Sequence, residues 1–225
     1  MSFPPRRFTS PPPELLKTNA TARGVVLRDL VWHKAPMILR VQFMGGTVDQ
    51  QNKVLEFAKP WSTAAKLEFE RSTAFDAEIR VSFNQQLGNW SYIGTDSIHR
   101  NLGYHKASMN LADVDSATVL HEFGHALGLG HEHQHPDAQV TLDEQRIISD
   151  MTSHPYNWSL EQVERNILKR FTRAVVDTIP YDSLSIMAYP FPAAWLMAGS
   201  PIPRNTSLSS GDTKLVQDLY GKRAP

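Results

Sequence analysis

The chain has 225 residues, 23 basic and 23 acidic side chains, and a formal net charge of zero, which gives no footing for nucleic acid or an anionic membrane as a partner. No apolar run is long enough for membrane insertion, and the absence of cysteine excludes disulfides and thiolate metal ligands. The length suits one domain or two small lobes around a proper core.

In chain order, Met1–Pro13 is proline-rich and polar and lacks the apolar stretch of a secretory signal peptide. Residues 1–22 read as a flexible arm, and 23–225 as the folded domain. An extracellular compartment fits a processed chain; the cytoplasm fits otherwise. Met37–Phe43 alternates and predicts a strand ended by Gly45-Gly46. Val48 to about Ala65 has helical spacing through Val48, Val54, Leu55, Ala58 and Trp61, with a kink or break expected at Pro60. Lys66–Glu70 and Ala77–Phe83 alternate and read as strands, and Ser108–Leu111 as a further short one. Asp115 is a good N-cap for a helix from Ser116 to about Leu127, packing through Val119, Leu120, Phe123 and Leu127. Leu142–Met151 and Ser159–Phe171 read as helices, the second opened by a Ser159–Gln162 capping box. A tight segment follows over Pro180–Pro192. Ser209–Tyr220 closes the chain as an amphipathic helix with Leu215, Val216, Leu219 and Tyr220 on its apolar side. The order predicts an α+β fold, with a twisted N-terminal sheet carrying two helices and a mostly helical second half. The halves run over about 23–130 and 131–225, with a cleft between them.

The stretch His121-Glu122-Phe123-Gly124-His125-Ala126-Leu127-Gly128-Leu129-Gly130-His131 reads H-E-x-x-H-x-x-G-x-x-H, a zinc-peptidase pattern. Its five fixed positions arise by chance in roughly a few chains of this length in 100,000. Residues four apart share a helix face, so His121 and His125 aim two imidazoles at one ion. A straight helix would carry residue 131 about 9 Å further along the axis. The helix must therefore stop, and Gly128 is placed to stop it in the left-handed conformation. Three neutral imidazoles leave a fourth position open, as in a catalytic rather than a structural zinc site. Glu122, beside His121, is placed to act as a base there.

A second informative stretch is Tyr181-Asp182-Ser183-Leu184-Ser185-Ile186-Met187-Ala188-Tyr189, a turn bearing a methionine. Taken with the zinc motif and the following Glu132-His133-Gln134-His135-Pro136-Asp137, the chain resembles the astacins over about Met37–Tyr220. Trp90–Thr95 and Ser108–Leu111 are similar to segments of cysteine-free microbial members. Three features depart from the astacin pattern. His135 stands in place of an arginine, Ala188 in place of the turn histidine, and no F-x-G-D prosegment motif is found.

The resemblance implies a metzincin-like fold and a zinc-dependent endopeptidase over 23–225. One catalytic Zn2+ would be held by His121, His125 and His131. Hydrolysis would run through a metal-activated water, with Glu122 as general base then acid. Tyr189 would ligate the metal at rest and swing out to donate to the oxyanion. Met187 would form an apolar floor, and Glu132 would be structural. His133 and His135 are not needed as ligands. The partner would be a peptide or protein bound as an extended strand, with Ser108–Leu111 as the sheet edge and Tyr189–Leu196 as the far wall of the cleft. Two rival readings are a metal-containing binding module that does not cleave and a metal-dependent hydrolase of a non-peptide amide. The sequence leaves the oligomeric state open.

Overall fold

The computed structural model describes residues 25–26, 30–33, 37–99, 103–172 and 180–223. The arm expected over 1–22 lies outside them. Strand β1 (Met37–Phe43) leads into helix α1 (Val48–Ala64), which crosses to β2 (Leu67–Ser72). Strands β3 (Ile79–Ser82), β4 (Trp90–Ser91) and β5 (Met109–Asn110) follow, and then helix α2 (Ser116–Ala126). The second half carries α3 (Glu144–Thr152), the short α4 (Leu160–Val163) and α5 (Ser210–Tyr220). The sheet order is β2-β1-β3-β5-β4, parallel throughout except for the antiparallel pair β4–β5. The α+β architecture is as the sequence implies, with every regular element after α2 a helix. No helix among the described residues is long and apolar enough to cross a membrane.

Alternation puts Met37, Leu39 and Val41 of β1 on the buried face, where they meet Val54, Ala58 and Trp61 of α1 and Val119, Leu120 and Phe123 of α2. Three expectations need correction. Helix α1 runs unbroken past Pro60. Proline removes one backbone donor, but the next residue, Trp61, is fully buried and its indole donates to the Leu120 carbonyl at 3.0 Å, which holds the last turn against α2. Val48, counted on the apolar side, is 68% exposed at the helix start. The helix expected over Ser159–Phe171 is regular only to Val163 and continues as one π-helical turn over Glu164–Leu168. Gln134 donates to the carbonyls of Arg165 and Lys169, and Phe171 donates its N–H to Gln134, so contacts from outside the helix draw its end apart.

In the short 3-10 turn Gly94–Ile98 after β4, Asp96 is buried, and one of its carboxylate oxygens has no hydrogen bond. Burial pushes its pKa from 3.8 up to about 6, against a smaller lowering by His99. Below 3.8 the folded and unfolded states both hold the proton. As pH rises to about 6 only the unfolded state ionises freely, so stability falls, by about 1–2 kcal/mol once solvent screening of the carboxylate is allowed for. Asp96→Asn is therefore expected to raise Tm by about 5 °C at pH 8, with the gain gone by pH 4, in paired thermal melts. No gain at pH 8 would mean that the carboxylate is well solvated in the folded protein.

Candidate active site

Helix α2 delivers the first two histidines. Asp115 caps it as expected, accepting from Thr118 N–H at 3.0 Å. The helix ends where Gly128 takes φ +91° and donates to the His125 carbonyl at 2.8 Å. The last-turn carbonyls of Ala126 and Leu127 are taken by the Trp32 indole at 2.9 Å and the Tyr220 hydroxyl at 2.6 Å. The chain then turns back and brings His131 beside the helix. The His131 ring centroid lies 5.4 Å from that of His121 and 4.7 Å from that of His125.

A metal ion suits this group. One ligand atom from each of His121, His125 and His131 lies within 4.8 Å of the others. Burial holds His121 and His125 down to about 3 and 4, and His131 well below its usual value, so all three rings are neutral at pH 7. Nδ1 of His121 faces the Ile186 carbonyl at 2.9 Å, and Nδ1 of His125 faces the Leu129 carbonyl at 2.7 Å. A carbonyl only accepts, so each Nδ1 carries the proton and each Nε2 keeps its lone pair. Nε2 of His125 then stands 3.1 Å from Nε2 of His131. Two nitrogens on one tetrahedral zinc would be about 3.3 Å apart. His133 and His135 are outside the group: His133 Nε2 meets the Asn166 carbonyl at 3.1 Å, and His135 Nδ1 accepts from Asp137 N–H at 3.0 Å.

Glu122 lines the same cleft, is 6% exposed, and has one carboxylate oxygen without a hydrogen bond. Burial pushes it up to about 8, against a smaller lowering by the Arg204 charge. The Tyr189 ring lies 4.2 Å from His131 and 5.9 Å from His121, centroid to centroid, and burial raises its pKa.

Met187 lies under the helix, and its position accounts for a residue that the sequence alone left unexplained. A Cβ on Gly124 would fall 2.4 Å from Met187 Sδ and 3.2 Å from Trp61. Glycine at the fourth motif position thus lets the methionine turn pack directly against α2. The turn is held from a distance. Asp212 of α5, buried, accepts from Ser185 Oγ at 2.6 Å and Ile186 N–H at 2.8 Å. Glu132 accepts from Asp182 N–H at 2.8 Å, a structural bond as expected. In the sequence Asp212 stands out only as part of an amphipathic helix; its capping-box position opposite Ser209 was the available signal.

The cleft walls differ from the sequence expectation. Strand β5 is paired on both sides, to β3 and to β4, so Ser108–Leu111 is not the edge. The edge strands are β2 and β4, and it is β4 whose Trp90 and Ser91 line the cleft. Tyr189 and Pro190 also line the cleft, together with Arg204 and Asn205, which the sequence did not single out. Arg204 pairs with Asp115 at 3.0 Å and donates to Thr118 Oγ1 at 2.6 Å.

Comparison with known proteins agrees with this geometry. The family model of the astacin peptidases matches residues 28–195. Zinc metalloproteinase nas-36 of Haemonchus contortus is 31% identical over 141 residues, covering 61% of this chain and 20% of that protein. Zinc metalloproteinase nas-14 of Caenorhabditis elegans is 29% identical over 192 residues, covering 78% and 34%. The chain thus spans about a fifth to a third of these relatives. The solved structure of myroilysin superposes with a TM-score of 0.81 at 30% identity, covering 88% of this chain and 99% of that one. High choriolytic enzyme 1, a hatching enzyme zinc-protease from Oryzias latipes (medaka fish), shares the fold, with a TM-score of 0.58 at 19% identity, covering 87% and 96%. The protein belongs to the astacin family of peptidases.

Proposed function

We propose that this chain is a zinc-dependent endopeptidase in which His121, His125 and His131 hold one Zn2+, Glu122 is the general base and acid, and Tyr189 is an oxyanion donor. The observation that carries the reading is the convergence of three imidazoles beside a buried carboxylate with an unpartnered oxygen. A structural metal site has no use for such a carboxylate. Zinc, when bound, supplies a Lewis acid that acidifies water and polarises a carbonyl. Glu122 takes the proton of the attacking water and passes it to the leaving nitrogen. The Tyr189 hydroxyl donates to the carbonyl oxygen as that oxygen gains charge. Tyr189→Phe is expected to keep its zinc and lose about 10²-fold in kcat. Unchanged kcat would assign Tyr189 to packing.

The substrate is a peptide in extended form, adding to the edge of β4 through main-chain hydrogen bonds, with side chains in pockets on alternate residues. Arg204 also lines the cleft, but its guanidinium is paired with Asp115 and bonded to Thr118, so it is tied to the start of α2. Cleavage of a peptide library by the purified chain, with and without phenanthroline and with metal content measured, tests the reading. Chelator-sensitive cleavage is expected, and the library gives the side-chain preference around the cut. A chain that holds one zinc and cuts no peptide would sink it, leaving a binding module or a hydrolase of another amide.

A further inference from the structure

His133 is used by none of the steps above, yet it is buried and its ring packs against that of Tyr189. Its ring lies 4.7 Å from that of Tyr189, with 29° between planes. The same imidazole lies 5.3 Å from His131 at 24°, and meets Phe191 edge-on at 5.3 Å and 79°. Phe191 is in the second apolar cluster, with Ile147, Met151 and Ile167, so the imidazole is backed by packed core. Its Nε2–H donates to the Asn166 carbonyl at 3.1 Å. Asn166 belongs to the π-helical turn and is itself tied to the Gln162 carbonyl at 2.7 Å. The ring is therefore fixed from behind and offers a flat face to the phenol.

We propose that His133 is a positioning residue that acts through Tyr189, its imidazole serving as a fixed platform on which the phenol ring stacks and is confined beside the three-histidine group. The inference rests on the reading of Tyr189 as an oxyanion donor. A flat aromatic face restricts a stacked ring to sliding and rotating in its plane, which keeps the hydroxyl in reach of the carbonyl that it must serve. Nδ1 of His133 is buried with no hydrogen-bond partner, so phenylalanine at this position would remove one hydrogen bond and keep the platform.

The test uses His133→Ala and His133→Phe, each alone and combined with Tyr189→Phe. His133→Ala is expected to lower kcat about fivefold to tenfold, the scale of a lost aromatic pair, with KM and zinc content unchanged. In the Tyr189→Phe background the same change should cost under about twofold. His133→Phe should retain most of the activity. In metal-free protein labelled with 13C-tyrosine, the Tyr189 ring resonance should move in His133→Ala, as one of its neighbouring ring currents is removed while that of His131 stays, and move less in His133→Phe. If His133→Ala does not fold, His133→Leu replaces it, filling the space without a flat ring. Equal losses in both Tyr189 backgrounds, loss of zinc, or an unmoved Tyr189 resonance would overturn the proposal. A wild-type chain that cleaves no peptide would end the functional reading, while the resonance in metal-free protein would still decide whether the platform exists.

Discussion

Glu122→Gln is expected to bind one zinc ion per chain and to hydrolyse peptides at least about 10³-fold more slowly than the parent. The substitution is nearly isosteric, so the packing of a side chain that is 6% exposed is preserved. It puts a neutral amide of the same shape where the carboxyl stood, so no new charge is buried. What disappears is the ability to accept a proton. The three histidines keep their own partners, the carbonyls of Ile186 and Leu129 among them, and so keep the metal. Elemental analysis and peptide turnover on the same preparation check both halves. Turnover within tenfold of wild type would mean that another group takes the proton, and Glu122 would fall from the mechanism.

His125→Ala is expected to abolish both zinc retention and peptide cleavage. His125 sits between the other two ligand candidates, with its lone-pair nitrogen 3.1 Å from that of His131 and its ring 4.8 Å from that of His121. Two imidazoles alone leave a site without the three protein ligands of an open zinc centre. Zinc at 1,000 times its dissociation constant stabilises the folded chain by about 4 kcal/mol, worth about 10 °C in Tm for a domain of this size. Phenanthroline should therefore lower Tm in the wild type and leave that of His125→Ala unchanged. A variant that still holds one zinc and still responds to chelator would exclude His125 as a ligand and move the metal elsewhere.

Much of the site was legible because its grammar is local. The pair His121 and His125 follows from helix pitch, the stop at Gly128 from a φ of +91° that glycine tolerates, and the start of α2 from the Asp115 side chain three residues before its donor. Strand β1 and the Ser209 and Ser159 caps are equally local, and the structure has them where the sequence puts them. The misreadings share the opposite property. The strand Ser108–Leu111 has the pattern of an edge or an interior strand alike, and only its pairing to both β3 and β4 decides. Pro60 marks a break by its own chemistry, and the burial of Trp61 against α2 overrides it.

By itself, then, the sequence determined the fold class, through the order of its elements, and the three histidines that meet with the neighbouring carboxylate, because these are encoded within a few turns of chain. Tertiary structure alone decided how the cleft is walled and how the methionine turn is held. The partners there are far apart in sequence: His121 meets Ile186 across 65 positions, Arg204 meets Thr118 across 86, and Asp212 meets Ile186 across 26. No periodicity links residues at such separations. They meet because apolar faces of α1, α2, α5 and the sheet close on one core, and the polar groups carried into it must find partners among whatever that closure brings near.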